Sequence, residues 1–283
     1  MLHLIQNHFL IFAAILTLCA ILAGFLGSLT GLGGGVVIVP MLVLLFGVDI
    51  RYAAGASLIS VIATSSGAAS TYVKQRISNF RIGMFLQVAA TIGALVGALL
   101  AGVFNASTIS IIFGVVLVLN SVLSRKYKET EDNKPADKLA TFFRLNGSYP
   151  TQTGAKSYNV YNLPGGFALM FLAGTLSGLL GIGSGALKVL AMDGVMKIPF
   201  KVSTATSNFM IGVTAAASAG IYLVSGFIDP LLCLPVMFGV VVGSRLGAKF
   251  LIKSNPKHIR TVFIVIVALV GLQMIYKGVF GSI

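Results

Sequence analysis

The chain has 283 residues, 57% of them apolar and 10% charged, with a mean hydropathy of +0.97, whereas an ordinary soluble domain carries about 25% charged residues. This composition excludes a soluble enzyme. Twenty Lys and Arg against seven Asp and Glu give a net charge of +13, but apolar runs interrupt the basic residues too often for a nucleic-acid-binding face; they mark one side of a bilayer instead.

A spanning helix needs about 20 mostly apolar residues. In chain order, such runs cover residues 9–29, 53–73, 83–104, 108–123, 164–180, 203–224, 230–249 and 261–276. The first lacks a basic flank and a small-residue cleavage site, so it reads as a retained span rather than a removable signal. Two runs of about half the usual length, 36–46 and 186–196, each follow a glycine cluster. Residues 124–163 hold seven basic residues, four acids and two prolines and read as a polar linker. Cys19 and Cys233 lie inside apolar runs, which excludes a disulfide framework or a spaced Cys metal site. His3, His8 and His258 lie outside them. No cofactor or metal is expected.

Whether the short runs cross decides the sidedness of everything after them. With ten crossings, sixteen of the twenty basic residues fall on one side; with re-entrant short runs the division falls to eleven against seven. The positive-inside rule favours ten spans, a cytoplasmic linker and both termini outside.

Displacing the chain on itself by 150 residues aligns Gly24 with Gly174, Gly31 with Gly181, Gly35 with Gly185, Ser57 with Ser207, Thr64 with Thr214, Gly93 with Gly243 and Phe113 with Phe263. A constant offset held this far marks an internal repeat. Five spans per unit is an odd number, so the second copy enters from the opposite side. The expected fold is an all-α integral membrane protein with ten transmembrane segments. These form two inverted five-helix repeats with Gly-rich helix breaks, 1–123 and 164–283, joined by the linker. Secondary transporters share this architecture and bind substrate near the midplane, between the repeats.

The breaks are Gly31-Leu32-Gly33-Gly34-Gly35 and Gly181-Ile182-Gly183-Ser184-Gly185. Glycine lets the backbone unwind and approach a ligand, and the helix start that follows offers free N–H groups to an anion. A dinucleotide fingerprint is discounted, since no strand precedes it in lipid. Close packing at a tight turn is the bland alternative; symmetric duplication favours a functional break. Beyond the first break, Ser57, Ser60, Thr64 and Thr71 share one helix face, and Ser207 and Thr214 answer them, with Thr204, Thr206 and Asn208 nearby. Any one hydroxyl can act as helix glue; together they suggest a polar path.

Lys188 stands three residues after Gly185, where the first repeat has Ile38. A charge inside an apolar run is by default functional, although a Lys near a helix end also snorkels. Arg245 lies closer to the basic side and reads as snorkelling. Asp49, Asp193 and Asp229 fall at loop or helix ends, which disfavours a proton relay built from acids. Gly93-xxx-Gly97 and Gly239-xxx-Gly243-xxx-Gly247 read as packing faces. The candidate substrate-binding set is Gly33, Gly34, Gly35, Ser57, Thr64, Gly183, Ser184, Gly185, Lys188, Ser207, Asn208 and Thr214, arranged for a small anion.

Several stretches resemble the TauE/SafE sulfite exporter family. They are Gly27-Ser-Leu-Thr-Gly-Leu-Gly-Gly-Gly-Val-Val-Ile-Val-Pro40, Ala54-Gly-Ala-Ser-Leu-Ile-Ser-Val-Ile-Ala-Thr-Ser-Ser-Gly67 and Asn79-Phe-Arg-Ile-Gly83 in the first half. In the second half they are Gly178-Leu-Leu-Gly-Ile-Gly-Ser-Gly185, Lys188 and Pro199-Phe-Lys-Val-Ser-Thr-Ala-Thr-Ser-Asn208. The resemblance covers nearly all the chain apart from the linker. It implies transport, often outward, of sulfite, sulfonates or related small organosulfur anions across a bacterial cytoplasmic membrane. The chain departs from the family pattern at Ser184, often a glycine there, and at Leu190, which matches Pro40 of the first repeat. It does not resemble thiosulfate-uptake relatives with pore cysteines, because Cys19 and Cys233 do not occupy matching repeat positions. Three other readings remain in view: a carrier of a different small anion, a non-transporting sensor, and an intramembrane hydrolase using Ser184. The last lacks a His, Asp or Glu base in any span.

Overall fold

The computed structural model describes residues 2–30, 34–74, 78–125, 137–151, 154–253 and 256–281. Before the linker lie α1 (Leu2–Thr30), α2 (Gly35–Leu45), α3 (Ile50–Lys74), α4 (Phe80–Val103) and α5 (Ala106–Arg125). Within the linker are α6 (Lys138–Phe142) and a hairpin of β1 (Gly147–Thr151) and β2 (Gly154–Tyr158), paired antiparallel with Gly147 opposite Tyr158. After it come α7 (Leu163–Leu180), α8 (Gly185–Val189), a π-helical segment Leu190–Val195, α9 (Phe200–Val224), α10 (Pro230–Lys253) and α11 (Pro256–Phe280).

Among the described residues, α4, α7 and α9 are long and apolar enough to cross a membrane, and six shorter apolar helical stretches accompany them. Leu22, Val88, Leu99, Leu172, Phe238 and Leu269 are exposed on the outer faces of the helices. Water would penalise apolar surface on this scale; hydrocarbon does not. The hydrogen bonds internal to each helix meet the other demand of the bilayer, that backbone polar groups be satisfied within the segment.

Four helix pairs dominate the packing: α1 with α10, α4 with α7, α3 with α9 and α5 with α11. Each joins a helix before the linker to one after it. Glycine makes the first two possible. A Cβ at Gly93 or Gly97 would overlap the carbonyl oxygen of Phe171 or Thr175, and a Cβ at Gly174 or Gly178 would overlap that of Ala90 or Ala94. The α1–α10 seam repeats the device, with Gly24 against the Val240 carbonyl and Gly239 and Gly243 against those of Thr17 and Ile21. The Gly-xxx-Gly faces are therefore packing surfaces between the two halves of the chain.

The short runs become short elements. At 1.5 Å per residue, the 11 residues of α2 cover about 16 Å, half of a hydrocarbon core of about 30 Å. Pro40 lies inside α2, where it withholds a backbone donor. At the matching place in the second half, Leu190 opens the π-helical segment. Both elements then close alike: Val48 N–H donates to Leu42 O at 3.1 Å and Ile198 N–H to Met192 O at 2.9 Å. Gly47 (φ 64°) and Lys197 (φ 57°) supply the left-handed residue that this closure needs. Asp193, expected at a helix end, lies inside the π-helical segment and is half-buried.

The linker, read from sequence as a polar connection, folds in its described part into a cap. Ala140, Leu145, Val160 and Leu163 pack into one apolar cluster with Ile82, Leu86, Met192, Met196, Val202 and Met210. Asn79 fastens it. Its Nδ2 donates to Tyr158 Oη at 2.7 Å and to Leu145 O at 3.2 Å, while its Oδ1 accepts from Ile82 N at 3.2 Å and caps α4. The Asn79 backbone N–H reaches Thr206 Oγ1 on α9 at 3.1 Å.

Candidate functional site

The described end of the first glycine break meets the second beside α3. The second follows directly from α7, where Gly181 (φ 69°) forms a left-handed C-cap, and Gly183 (φ 71°) and Ser184 (φ 39°) keep the chain out of helical geometry until α8 begins. Ser184 is not a residue that adopts positive φ freely; its buried hydroxyl donates to Ala173 O, which anchors the turn to α7. Gly35, first residue of α2, has Ser57 Oγ, Ile182 Cα and Gly181 O where a side chain would project, and Gly181 is pressed against Ala54 of α3. Ser57, fully buried, donates to Gly181 O at 2.7 Å. A hydroxyl from the first half thus satisfies a carbonyl that the break in the second half leaves without a helical partner.

Lys188 follows one turn into the second short element and is completely buried. Its Nζ donates to Thr214 Oγ1 at 2.6 Å and lies 3.4 Å from Met210 O. Thr214 is buried as well and uses its own proton on Met210 O at 2.7 Å. The same Oγ1 also accepts from Gln87 Nε2 of α4 at 3.1 Å, and Gln87 Nε2 donates to Thr91 Oγ1 at 2.8 Å. Gln87 Oε1 is buried with no partner among the described residues. The cluster draws on α4, α8 and α9. No carboxylate pairs with Lys188 among the described residues, so the site holds one cation inside a ring of neutral polar atoms.

The remaining candidates divide. Ser207 donates to Gly185 O at 3.2 Å and Gly185 abuts Ile211 of α9, so both belong to the second break. Gly183 packs on Ile211 and Val61, and Gly34 caps the start of α2. Thr64 and Asn208 are turned to their own helices: Thr64 Oγ1 donates to Ser60 O at 3.0 Å, and Asn208 Nδ2 to Thr204 O at 3.0 Å. Neither is bonded to the Lys188 cluster. Gly33 lies outside the described residues, as do Gly31 and Leu32 of the same break. Arg245 is exposed, in keeping with its reading as a snorkelling residue. Sequence reasoning missed Gln87 and Thr91. The signal was present, since Gln87 is a carboxamide in the middle of an apolar run, but hydroxyls and charges drew the selection.

Apolar outer faces, helices sealed by glycine contacts and a buried Lys188 held by neutral groups among the described residues define a multi-pass α-helical membrane protein with an internal polar site. The chain belongs to the family described as sulfite exporter TauE/SafE, whose model matches residues 16–274. It is 33% identical over 275 residues to the probable membrane transporter protein YunE of Bacillus subtilis, covering 94% of this chain and 98% of that one. A probable membrane transporter protein of Methanocaldococcus jannaschii is 23% identical, covering 96% and 98%, and the probable membrane transporter protein YdhB of Bacillus subtilis is 25% identical, covering 93% and 98%. No solved structure matches the chain.

Proposed function

We propose that this chain is a secondary transporter that moves small organosulfur anions, sulfite or sulfonates, across the cytoplasmic membrane and has no enzymatic activity. One observation carries the reading: Lys188 is fully buried one turn after the second glycine break, with neutral partners and no acid among the described residues. An unpaired cation is costly in such surroundings. A bound anion supplies the missing charge, and the family's description as a sulfite exporter supports the sulfur chemistry. The substrate set comprises Lys188, Ser57 and the backbone of Gly33, Gly34, Gly35, Gly183, Ser184 and Gly185, with Thr214 holding Lys188 in place and Ser207 behind the second break. Thr64 and Asn208 complete the polar path beyond it.

Two repeats, 1–123 and 164–283, fit the packing, and the distribution of basic residues supports reading them as inverted, with ten crossings. Exchanging the halves maps α1–α10 onto α4–α7 and leaves α3–α9 and α5–α11 in place, as a pseudo-two-fold axis would. In this arrangement the linker is cytoplasmic, both termini are outside, and access alternates as one half moves against the other. Reconstituted protein should carry sulfite or a sulfonate in proteoliposomes. Lys188→Met should cut that flux ten- to a hundredfold, the scale of a lost hydrogen bond to a charged group, and Ser57→Ala should reduce it. Normal flux in both variants removes the proposed site.

A further inference from the structure

The hydrogen-bonding inventory around Thr214 narrows the substrate class. A hydroxyl has one proton and two lone pairs. At Thr214 all three are engaged: the proton on Met210 O, the lone pairs by Lys188 Nζ and Gln87 Nε2. The Gln87 carboxamide is fixed by this arrangement. Its nitrogen faces the Thr214 oxygen and Thr91, donating to both, which turns its oxygen away from them. Among the described residues, two positions of opposite sense therefore have no partner in one buried cluster. A protonated Lys188 has three N–H donors, and Thr214 and Met210 occupy two of them. Gln87 Oε1 is a buried acceptor, on a residue only 6% exposed, with no donor among the described residues. A bare oxyanion answers only the first.

We infer that the site selects an anion carrying a hydrogen-bond donor of its own, with the anionic head on Lys188 and the donor on Gln87 Oε1. Hydroxyalkyl sulfonates are one such class. The inference rests on the anion-transport reading and adds Gln87 as its specificity-determining residue. An unanswered buried acceptor penalises a ligand that lacks the donor more than an answered one rewards a ligand that has it.

The test compares two probes of similar size, 2-hydroxyethanesulfonate and 1-propanesulfonate, in proteoliposomes of the full chain. Wild type should prefer the hydroxylated anion about tenfold. In Gln87→Met, which keeps the side-chain length and loses the acceptor, the ratio should fall towards one. Equal transport of the two probes by wild type overturns the inference and leaves anion transport standing. An undiminished preference in Gln87→Met overturns the role of Gln87. If Gln87→Met fails to fold, the wild-type ratio alone decides. Transport of neither probe, nor of sulfite, overturns the underlying reading and this inference with it.

Discussion

Lys188 Nζ and Thr214 Oγ1, 26 residues apart in sequence, lie 2.6 Å from each other with no solvent exposure at either residue. The bond ties the second short element to α9, and Thr214 ties both to α4 through Gln87. Thr214→Val keeps the shape and removes the oxygen, leaving the ammonium and the carboxamide each short of a partner. Stability should fall by about 2–3 kcal/mol, more than the roughly 1 kcal/mol typical of one hydrogen bond, because two buried polar groups are orphaned. Thermal unfolding in detergent reads the loss, and anion flux should drop with it.

Ser184 stands in left-handed backbone at φ 39° and bonds Ala173 O. Replacing it by Gly relieves the conformation and loses the bond; replacing it by Ala loses the bond and keeps the strain. Ser184→Ala should therefore cost about 1–2 kcal/mol, and Ser184→Gly less than half as much. The ordering of the two melting temperatures is the measurement, and a reversed order would contradict the strain argument.

The α4–α7 seam depends on the absence of a side chain at Gly97, where a Cβ would overlap the Thr175 carbonyl oxygen. Gly97→Ala should force the helices apart and destabilise the protein by about 1–3 kcal/mol. Gly102, with open space around its Cα, should accept Ala without loss, which makes it the matched control for thermal melting.

Asn79 and Tyr158 fix the linker cap. Asn79→Ala removes two side-chain bonds to the linker and the cap of α4, and should cost about 2–3 kcal/mol and expose the linker to protease. Burial pushes the Tyr158 hydroxyl above its ordinary pKa, opposed by the hydrogen bond from Asn79. A group whose pKa is raised on folding contributes stability that is present below its unfolded value, near pH 10, and is lost as pH rises through the higher folded value. Cap stability should therefore be flat up to about pH 10 and decline above it. Tyr158→Phe should remove that alkaline step at the cost of one hydrogen bond. The chain has eight tyrosines and no tryptophan, so the difference in tyrosinate absorbance between wild type and Tyr158→Phe isolates this titration.

The glycine breaks and Lys188 were legible in the sequence because each violates a strong local rule: glycine clusters do not sustain a helix, and a charge does not enter an apolar run without cause. Helix positions were legible for the same reason, since length and hydropathy are local quantities. The roles of equivalent residues were not. Thr64 and Thr214 match under the 150-residue offset, yet Thr64 bonds only its own helix, whereas Thr214 collects donors from α4 and α8. Spacing along a helix tells which face a side chain shares, not which helix is brought against that face. Gln87 shows the same limit, for its partner Thr214 is 127 residues away.

The packing of the linker was hidden for a related reason. Its polar composition gave no sign of a cap, because Ala140, Leu145 and Val160 find apolar partners only when α4, α9 and the π-helical segment are assembled beneath them. Composition and hydropathy were enough to make this chain helical and membrane-embedded, because burial in lipid is imposed on each segment separately, and the 150-residue offset pointed to a duplication. Tertiary structure alone decided that Lys188, Thr214 and Gln87 form one cluster and that Ser57 closes the opposite break, because those contacts exist only where the two halves of the chain meet.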